Sequence, residues 1–408
     1  MNRVVHFQGF QRAVSSRQPV LPLSVDAVLL LSVVLLLSIG LVMVTSASID
    51  ISDKQLGDPF YYAKRHLFYM ALGVMAALLA YRVRLVHWEK SGAALALFAL
   101  LLLVLVLIPG LGRTVNGATR WLRLGVVGLQ VAEFARLFLL IYLAGYLVRR
   151  GQEVRSSITG FIKPLAVLGA ACLLILAQPD FGSAVVLLLT ALGVMFLGGV
   201  RFWQFSALLA GMTALMAVLA ISSPYRMQRL TTFLDPWADP FNTGFQLTQS
   251  LIAFGSGGWT GVGLGGSVQK LFYLPEAHND FLLAILGEEL GLFGVWGVLA
   301  LFAVVVWRGM AIGWAAEKHG FKFGAYLAYG LTLWIALQAM INVGVSMGLL
   351  PTKGLTLPLV SAGGSSLLVM CLCIGLLMRV HLEVTLTQAH TLKKSAMPRV
   401  RGELTDER

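Results

Sequence analysis

The sequence predicts an all-α polytopic membrane protein with ten transmembrane helices and a large ordered extracytoplasmic loop between helices seven and eight. Of its 408 residues, 58% are hydrophobic and only 12% are charged, whereas about a quarter are charged in a typical soluble domain. Many apolar runs approach the roughly 20 residues that a helix needs to cross a bilayer core of about 30 Å. One polar, glycine-rich stretch, residues 235–291, interrupts them. Chemistry is therefore expected there.

The apolar runs define the spans one by one. They lie at 26–46, 66–82, 91–109, 131–148, 164–178, 183–200, 203–222, 281–307, 325–350 and 365–380. Because their number is even, both termini lie on the same side of the membrane. The predicted organisation is a tail at 1–25, a membrane domain at 26–380 with its long loop at 223–280, and a second tail at 381–408.

The distribution of positive charge sets the orientation, because Lys and Arg are enriched in cytoplasmic loops. With both termini in the cytoplasm, the inner side holds 20 Lys and Arg residues and the outer side holds 10. The formal net charge of +12 thus follows the membrane and does not form one basic face, so no nucleic-acid partner is predicted. All three cysteines lie in apolar runs, which indicates neither a disulfide framework nor a thiolate zinc site.

The long outer loop is expected to be ordered, because it carries aromatic residues such as Trp237, Phe245 and Trp259 that a disordered segment usually lacks. Its glycine-rich middle is expected to be a flexible cover over a bound lipid. Further outer loops rich in Gly, Pro or hydroxyl residues are predicted at 110–130, 178–182 and 351–366.

Three ionisable residues, Glu276, His278 and Asp280, precede span eight directly. Asn279 or Asp280 could simply cap the helix, since their side-chain oxygens accept an unpaired helix N–H. Alternatively, a carboxylate at the boundary of water and membrane suits a general base acting on a hydroxyl of an amphiphilic substrate. Spacing leaves these two interpretations of Asp280 equal, and it favours an orienting or surface role for His278.

Arg136 is an isolated charge within span four, and such a charge requires a partner. Glu133 lies three residues earlier on the same helix face, and Asp180 lies at a similar depth near span five. The pattern slightly favours an ion pair that fixes helix packing over the charged wall of a cavity within the membrane.

The segment before span ten contains Lys353 and ends in Gly364, Ser365 and Ser366. Gly and Ser at a helix N-terminus leave backbone N–H groups that can bind an anion such as a phosphate. An ordinary turn with a serine cap is the more common explanation. The chain contains none of the P-loop, metalloprotease, paired-cysteine or dinucleotide fingerprints.

From about residue 25 to residue 379 the sequence resembles the SEDS (shape, elongation, division and sporulation) family. The segments that carry the resemblance are 44–48 (VTSAS), 178–180 (QPD), 244–250 (GFQLTQS), 274–281 (LPEAHNDF), 287–291 (GEELG) and 350–354 (LPTKG). The run at 351–358 is more similar to the Gram-negative division branch of the family than to its elongation branch. The glutamines and serine of the 244–250 segment, Gln246, Gln249 and Ser250, join the candidate site residues.

The resemblance implies an inner-membrane peptidoglycan glycosyltransferase that polymerises lipid II at the division septum with a class B penicillin-binding protein and other division proteins. It implies that Asp280 deprotonates the sugar 4-hydroxyl of one lipid II, and that Arg136 and Asp180 line a central cavity. Developing charge on the pyrophosphate leaving group requires cationic help. Candidates are Arg136, Arg226, Arg229, Lys353 and a divalent cation such as Mg²⁺ or Mn²⁺.

The sequence departs from the family pattern at two places. Arg136 stands where lysine is usual, near Val131 where proline is usual, and Ala362 stands where tyrosine is usual. A planar guanidinium and a point-like ammonium bind differently, which puts the geometry around Arg136 in doubt. Two other functions compete with the transferase: a lipid II flippase, and a membrane scaffold that recruits the transpeptidase.

Overall fold

The computed structural model describes residues 25–115, 117–124, 127–221, 224–352 and 354–396. Within these ranges the chain is mostly helical, with one small sheet. The helices are α1 (Ala27–Leu56), α2 (Tyr61–Arg82), α3 (Leu85–Leu105), α4 (Val131–Ser156), α5 (Ile158–Ala177), α6 (Phe181–Leu197), α7 (Phe202–Ile221), α8 (Pro224–Leu234), α9 (Phe245–Gly257), α10 (Leu282–Lys318), α11 (Lys322–Ser346) and α12 (Gly364–Ala396). The strands are β1 (Gly112–Val115), β2 (Ala118–Leu124) and β3 (Val127–Gln130).

Each of the ten predicted apolar runs falls on a helix. Among the described residues, eight helices are long and apolar enough to cross a membrane: α1 to α5 and α10 to α12. Helix α6 is a shorter apolar helix. The prediction of a mostly helical, polytopic chain is confirmed at this level.

The helices divide into a central and a peripheral set. About 72% of the apolar window of α4 is buried inside the protein, as is 67% of the windows of α11 and α12, compared with 22% for α2 and α3. A helix that is apolar all round and buried lies in the interior, whereas one that exposes apolar residues faces lipid. Polar side chains on the central helices are consequently enclosed by protein.

An ion pair joins the N-terminal end of α1 to α10. The carboxylate of Asp26 accepts a hydrogen bond from the backbone N–H of Leu29, at 3.0 Å, and so caps α1. The same carboxylate accepts a hydrogen bond from the guanidinium of Arg308, at 2.6 Å. This pair fixes two spans at the end opposite the sheet.

Within the segment 110–130, predicted as a loop in an all-α protein, the strands β1, β2 and β3 form a three-stranded antiparallel sheet in the order β1-β2-β3. Its register pairs Arg113 with Trp121 and Leu122 with Leu129. The glycines of this segment favour a loop, but polar and apolar residues alternate along β2, which is typical of a strand. The sheet leads directly into α4 and docks on α12.

The long loop differs from its prediction in its glycine-rich middle. It contains α8 and α9, and its glycine-rich middle is not a loose cover: it crosses α10 where Gly291 adopts a left-handed φ of 66°. There the backbone N–H of Leu292 donates to the Gly258 carbonyl at 2.9 Å, and that of Val262 donates to the Glu288 carbonyl at 3.0 Å. The helix break exposes backbone groups that the loop then satisfies.

Candidate active site

Asp280 lies at the end of a tight turn that precedes α10. Leu274 and Ala277 anchor this turn, since both are fully buried. Glu276 has a left-handed φ of 56°, and the N–H of Asn279 donates to its carbonyl at 2.9 Å. The strained backbone of Glu276 is of the kind that persists only when the surrounding contacts determine it.

Neighbouring elements fix the turn through its backbone. The side-chain amide of Asn342, on α11, donates to the carbonyls of Asp280 at 2.8 Å and of Leu355 at 2.6 Å. The N–H of Ala362 donates to the carbonyl of His278 at 3.2 Å. The side chain at 362 plays no part in this bond, so the alanine that replaces the usual tyrosine preserves it.

Asp280 is not the helix cap. The N-cap residue of α10 is Phe281, and no hydrogen bond from a described side chain caps that helix. The carboxylate instead approaches the segment before α12 so closely that a Cβ on Gly354 would lie 3.0 Å from Oδ2 of Asp280. The side chain is thus left available for chemistry.

The surroundings of Asp280 favour its protonated form. Burial, together with the negative charge of Glu276, raises the pKa of Asp280 to about 7, although Arg120 acts in the opposite direction. A general base works best when its pKa lies near the working pH. Asp280 therefore has the acid strength that a base requires at neutral pH.

His278 lies in the same turn, two residues before Asp280. Its ring lies 4.7 Å from that of Tyr62 on α2, centroid to centroid. Burial lowers the pKa of His278 while Glu276 raises it, with a net decrease. The neutral imidazole is thus favoured. Its contact with Tyr62 fits an orienting role, which stays a prediction, as does any role for Glu276.

Arg136 and Glu133 form a buried ion pair on α4. The guanidinium of Arg136 also donates to Oε1 of Gln338 at 3.2 Å and lies 5.0 Å from the Trp334 ring centroid. Arg136 is only 1% exposed. Glu133 on α4 and Gln338 and Trp334 on α11 thus compensate the free-energy cost of burying this charge.

Gln338 connects this ion pair to the segment before α12. Its amide nitrogen donates to the carbonyl of Thr356 at 3.1 Å and to the hydroxyl of Ser366 at 3.3 Å. Its oxygen accepts from Trp334 at 2.9 Å. A continuous polar network therefore runs from α4 through α11 to the start of α12.

Asp180 does not form an ion pair with Arg136. It is the N-cap residue of α6, and its carboxylate accepts hydrogen bonds from Ser183 N at 3.1 Å and from Ser183 Oγ at 2.8 Å. Gln130 reaches the same carboxylate at 3.5 Å. Beside it, Arg120 of β2 donates to the carbonyl of Pro179 at 2.6 Å. The sheet thereby places a cation near Asp180.

The start of α12 is closely packed. Ser365 Oγ accepts from Gln130 N at 2.9 Å and donates to the Gly128 carbonyl at 3.1 Å. Thr356 donates to Ser366 Oγ at 3.0 Å. A Cβ on Gly364 would lie 2.7 Å from the ring of Tyr69. These side chains join the sheet to the bundle, and anion binding here stays a prediction.

The remaining candidates lie elsewhere or outside the described atoms. Ser250 on α9 donates to the carbonyl of Ser346 at 2.7 Å, which fastens α9 to the end of α11. Gln246 and Gln249 are half-buried on the same short helix. Lys353 and the side chains of Arg226 and Arg229 lie outside the described part of the chain.

Sequence reasoning missed Gln338, Asn342 and Arg120. The two amides lie alone in an apolar run, where only their cost in a membrane segment signals a role. Arg120 alternates with apolar residues along β2, so recognising the strand would have pointed to it. Among the described residues, no group of three or more His, Cys, Asp or Glu side chains could hold a metal ion.

The fold and site together define a helical membrane protein in which the carboxylate of Asp280, whose pKa is raised, lies against the segment before α12. The chain belongs to the FtsW/RodA/SpoVE family of cell cycle proteins, whose model matches residues 26–386. It is 59% identical over 379 residues, 93% of this chain, to a relative named "Probable peptidoglycan glycosyltransferase FtsW" from Thioalkalivibrio sulfidiphilus, of which 95% is covered. A relative of the same name from Nitrosococcus halophilus is 58% identical over 88% of this chain and 92% of its own length.

Solved structures agree with this assignment. One chain, from a structure described as "Structural coordination of polymerization and crosslinking by a peptidoglycan synthase complex", matches with a TM-score of 0.72 and 30% identity over 89% of this chain and 99% of its own. The rod shape determining protein RodA of Thermus thermophilus matches with a TM-score of 0.67 and 28% identity, covering 88% of this chain and 98% of its own. The whole membrane domain thus shares the family fold.

Proposed function

We propose that the protein is a peptidoglycan glycosyltransferase that polymerises lipid II into glycan strands. The observation that carries this proposal is the position of Asp280, a carboxylate with a pKa of about 7 outside any helix cap. The names of the two relatives, each about as long as this chain, support the same activity. General-base chemistry on a sugar hydroxyl needs a group of this kind.

In the proposed reaction Asp280 takes the proton from the 4-hydroxyl of one lipid II. The resulting oxygen nucleophile attacks the anomeric carbon of the other glycan, and the bond to undecaprenyl pyrophosphate breaks with its electron pair leaving on the pyrophosphate. Cations near the site would stabilise this charge. Arg120 is the described cation whose charge acts on Asp280, and Lys353, Arg226 and Arg229 remain further candidates.

We infer that Arg136 acts indirectly. The guanidinium is enclosed by Glu133, Gln338 and Trp334, so it holds α4 against α11 and supports the segment that carries Ser366. A fully enclosed cation cannot meet a pyrophosphate without breaking these contacts. Arg136 and Glu133 are therefore positioning residues in this proposal.

The proposed setting is the bacterial inner membrane at the division septum, with ten spans, both termini in the cytoplasm and the 223–280 segment outside. The excess of Lys and Arg on the inner side supports this orientation. The likeness to a chain of a peptidoglycan synthase complex that couples polymerization and crosslinking supports a class B penicillin-binding protein as partner.

The test is a polymerisation assay with lipid II, using the purified chain and its penicillin-binding protein, with and without a chelator. The parent is expected to form glycan strands and Asp280→Ala to form none. Asp239→Asn is the matched control, since Asp239 is an acidic residue of the same segment that caps a turn through the N–H of Thr243 at 3.2 Å. Polymerisation by Asp280→Ala at the parent's rate would refute the proposal.

A flippase predicts a different result. It would move lipid II across liposomes without any partner and without making polymer. A scaffold would bind the penicillin-binding protein and support growth equally well with Asp280→Ala. Strand formation that depends on Asp280 excludes both as sufficient accounts.

A further inference from the structure

A second cluster of charged side chains lies outside the network around Arg136. It consists of Ser46 on α1, Ser267 and Lys270 in the long loop, and Glu288 and Glu289 on α10. We call these five residues the latch. All but Ser46 are at least nine-tenths buried. Protein encloses both glutamates of the latch, Glu288 and Glu289.

Glu288 binds the long loop at Ser267 and the two residues that follow it. Its carboxylate accepts hydrogen bonds from the hydroxyl of Ser267, from Val268 N at 3.1 Å and from Gln269 N at 3.3 Å. Three donors of the loop therefore converge on this enclosed carboxylate. Glu288 thus fastens the loop to α10 two turns beyond Asp280.

Glu289 binds both the long loop, through Lys270, and α1, through Ser46. It accepts hydrogen bonds from Lys270 Nζ at 2.9 Å and from Ser46 Oγ at 2.7 Å. Lys270 also donates to Ser46 Oγ at 3.0 Å and to the Gly265 carbonyl at 2.9 Å. These bonds join α1, the loop and α10 at a single point.

Lys270 of the latch and Asp280 lie on one continuous segment of the long loop, which is hydrogen-bonded to helices at both ends. Lys270 lies ten residues before Asp280, and the Leu274 N–H donates to the Gln269 carbonyl at 2.9 Å between them. The far end is held by Asn342 on the Asp280 carbonyl. The intervening turn is therefore fixed at both ends, and the latch supplies the end that faces α1.

We propose that the latch is a positioning device for Asp280: Glu288, Glu289 and Lys270 hold the loop in the one register that aims the carboxylate at the substrate. This inference rests on the proposed function and adds residues to it that do not themselves touch the substrate. Misplacing a catalytic group by about 1 Å can lower the rate on the order of 100-fold. Loss of the latch is therefore expected to lower kcat and to leave KM nearly unchanged.

The experiment compares Lys270→Met with the double variant Lys270→Met/Glu289→Gln in the lipid II polymerisation assay with the partner protein present. The single variant leaves Glu289 charged and buried, so its thermal stability should fall. The double variant removes both charges, so its stability should return toward that of the parent. If the latch positions Asp280, kcat of both variants stays about tenfold or more below the parent at nearly equal KM.

The pH–rate profile provides a readout that a purely structural role would not move. A loosened turn lets water reach Asp280, so the acid limb of the profile should move to lower pH in the double variant. The charged groups that act on Asp280 are Glu276, Arg120 and Asp180, and none of them is changed. Retention of the parent's acid limb, together with the parent's kcat, would overturn the proposal.

The ion pair of Asp26 and Arg308 supplies the matched control. It also joins α1 to α10, but at the opposite end of the bundle. Asp26→Asn/Arg308→Met should keep the parent's kcat. An equal loss of kcat in this control would show that any broken link between α1 and α10 is enough, and the latch would lose its special role.

Ser267→Ala keeps the test decisive if Lys270→Met does not fold. It removes the hydroxyl donor to Glu288 and leaves both backbone donors in place. A lower kcat at unchanged KM supports positioning, and the parent's kcat in both Ser267→Ala and Glu288→Gln contradicts it. Activity of Asp280→Ala would instead refute the proposed function itself, so the two failures are distinguishable.

Discussion

Asp280 combines a poorly solvated side chain with a firmly held backbone. Water that would stabilise its charge is partly excluded, which raises its pKa to about 7. Yet the backbone around it is fixed, because Asn342 and Ala362 bind the carbonyls of the turn. A base that is held in place but poorly solvated is reactive, and the protein loses folding stability to maintain it.

This cost can be measured. A carboxyl group whose pKa is higher in the folded than in the unfolded state destabilises the fold as pH rises between the two values. For Asp280 that window runs from the ordinary 3.8 to about 7. Asp280→Asn, which carries no titrating group, is therefore expected to be more thermally stable than the parent at pH 8, and the advantage should shrink toward pH 4.

Thermal unfolding of the purified protein in detergent, followed by intrinsic fluorescence across this pH range, provides the measurement. Asp239→Asn serves as the reference, because hydrogen bonds from Thr243 and Asn242 lower the pKa of Asp239. Its substitution should lower stability or leave it unchanged. A constant difference between Asp280→Asn and the parent at all pH values would contradict the raised pKa of Asp280.

Arg136 differs from Asp280, because its buried charge is compensated by an ion pair with Glu133. Arg136→Met leaves the carboxylate of Glu133 buried without its partner, and breaking such a pair typically costs about 3–5 kcal/mol. Arg136→Lys keeps the charge but lacks the planar guanidinium that contacts Glu133, Gln338 and Trp334. We expect Arg136→Lys to fall between the parent and Arg136→Met in thermal stability. Equal stability of the two variants would contradict this ranking.

At the scale of elements, the crossing of the long loop over α10 is the feature that most constrains the sequence. Gly291 adopts a left-handed φ of 66° and Gly261 one of 81°, and each lies directly against the backbone of the other segment. A side chain at either position would meet that backbone. The crossing is therefore restricted to glycine by both conformation and space.

Gly291→Ala is expected to lower stability by at least the roughly 1–2 kcal/mol that left-handed backbone costs an L-residue, and to lower polymerisation with it. Gly297→Ala on the same helix is the control. A Cβ there meets no atom within 4 Å, and alanine is the better helix former by about 1 kcal/mol. Denaturant or thermal unfolding of the two variants should give changes of opposite sign.

Much of the element order is predictable from sequence, for reasons that particular segments illustrate. The spans follow from apolar runs because a bilayer demands long, uniformly apolar helices. The strands β1 to β3 were not predicted, because they are only four to seven residues long and over so few residues an alternating pattern beside glycines is also typical of a loop. The partners of Glu289, Ser46 and Lys270, are separated from it by 243 and 19 residues, and no local spacing reveals such contacts.

The same limit applies to the candidate site. Asp280 could be singled out as one of two equal alternatives, and only the structure shows that Phe281 and not Asp280 occupies the N-cap position. Glu133 and Asp180 were the two partners predicted for Arg136; the structure pairs Arg136 with Glu133, whereas Asp180 caps α6. Gln338 completes that network from another helix, where the sequence shows only an amide among apolar residues.

At the scale of the whole molecule, the elements that carry the described candidate site residues lie toward one end of the bundle. The sheet, the turn of Asp280, the latch and the segment before α12 meet there, while central helices α4, α11 and α12 enclose the network beneath them. This asymmetry fits a protein that draws a lipid-linked substrate from the membrane and acts on its head group at the surface. The proposed orientation places that end outside the cytoplasm.

The orientation has a direct test in cells. The described cysteines are all buried, so new ones at exposed positions can be labelled selectively. Asn242→Cys, in the long loop, should react with a membrane-impermeant maleimide in intact cells, and Gln152→Cys, near the end of α4, should react only after permeabilisation. Labelling in the reverse order would contradict the proposed topology.

The most direct test of the central claim is the pH dependence of lipid II polymerisation under single-turnover conditions, for the parent and Asp280→Asn. Because the base acts only when deprotonated, the parent's rate should rise with pH through about 7, the pKa of Asp280, and level off above it. The rate of Asp280→Asn should be lower by orders of magnitude and flat. Equal rates for both proteins, or a parental profile without that rise, would contradict the assignment of Asp280 as the base.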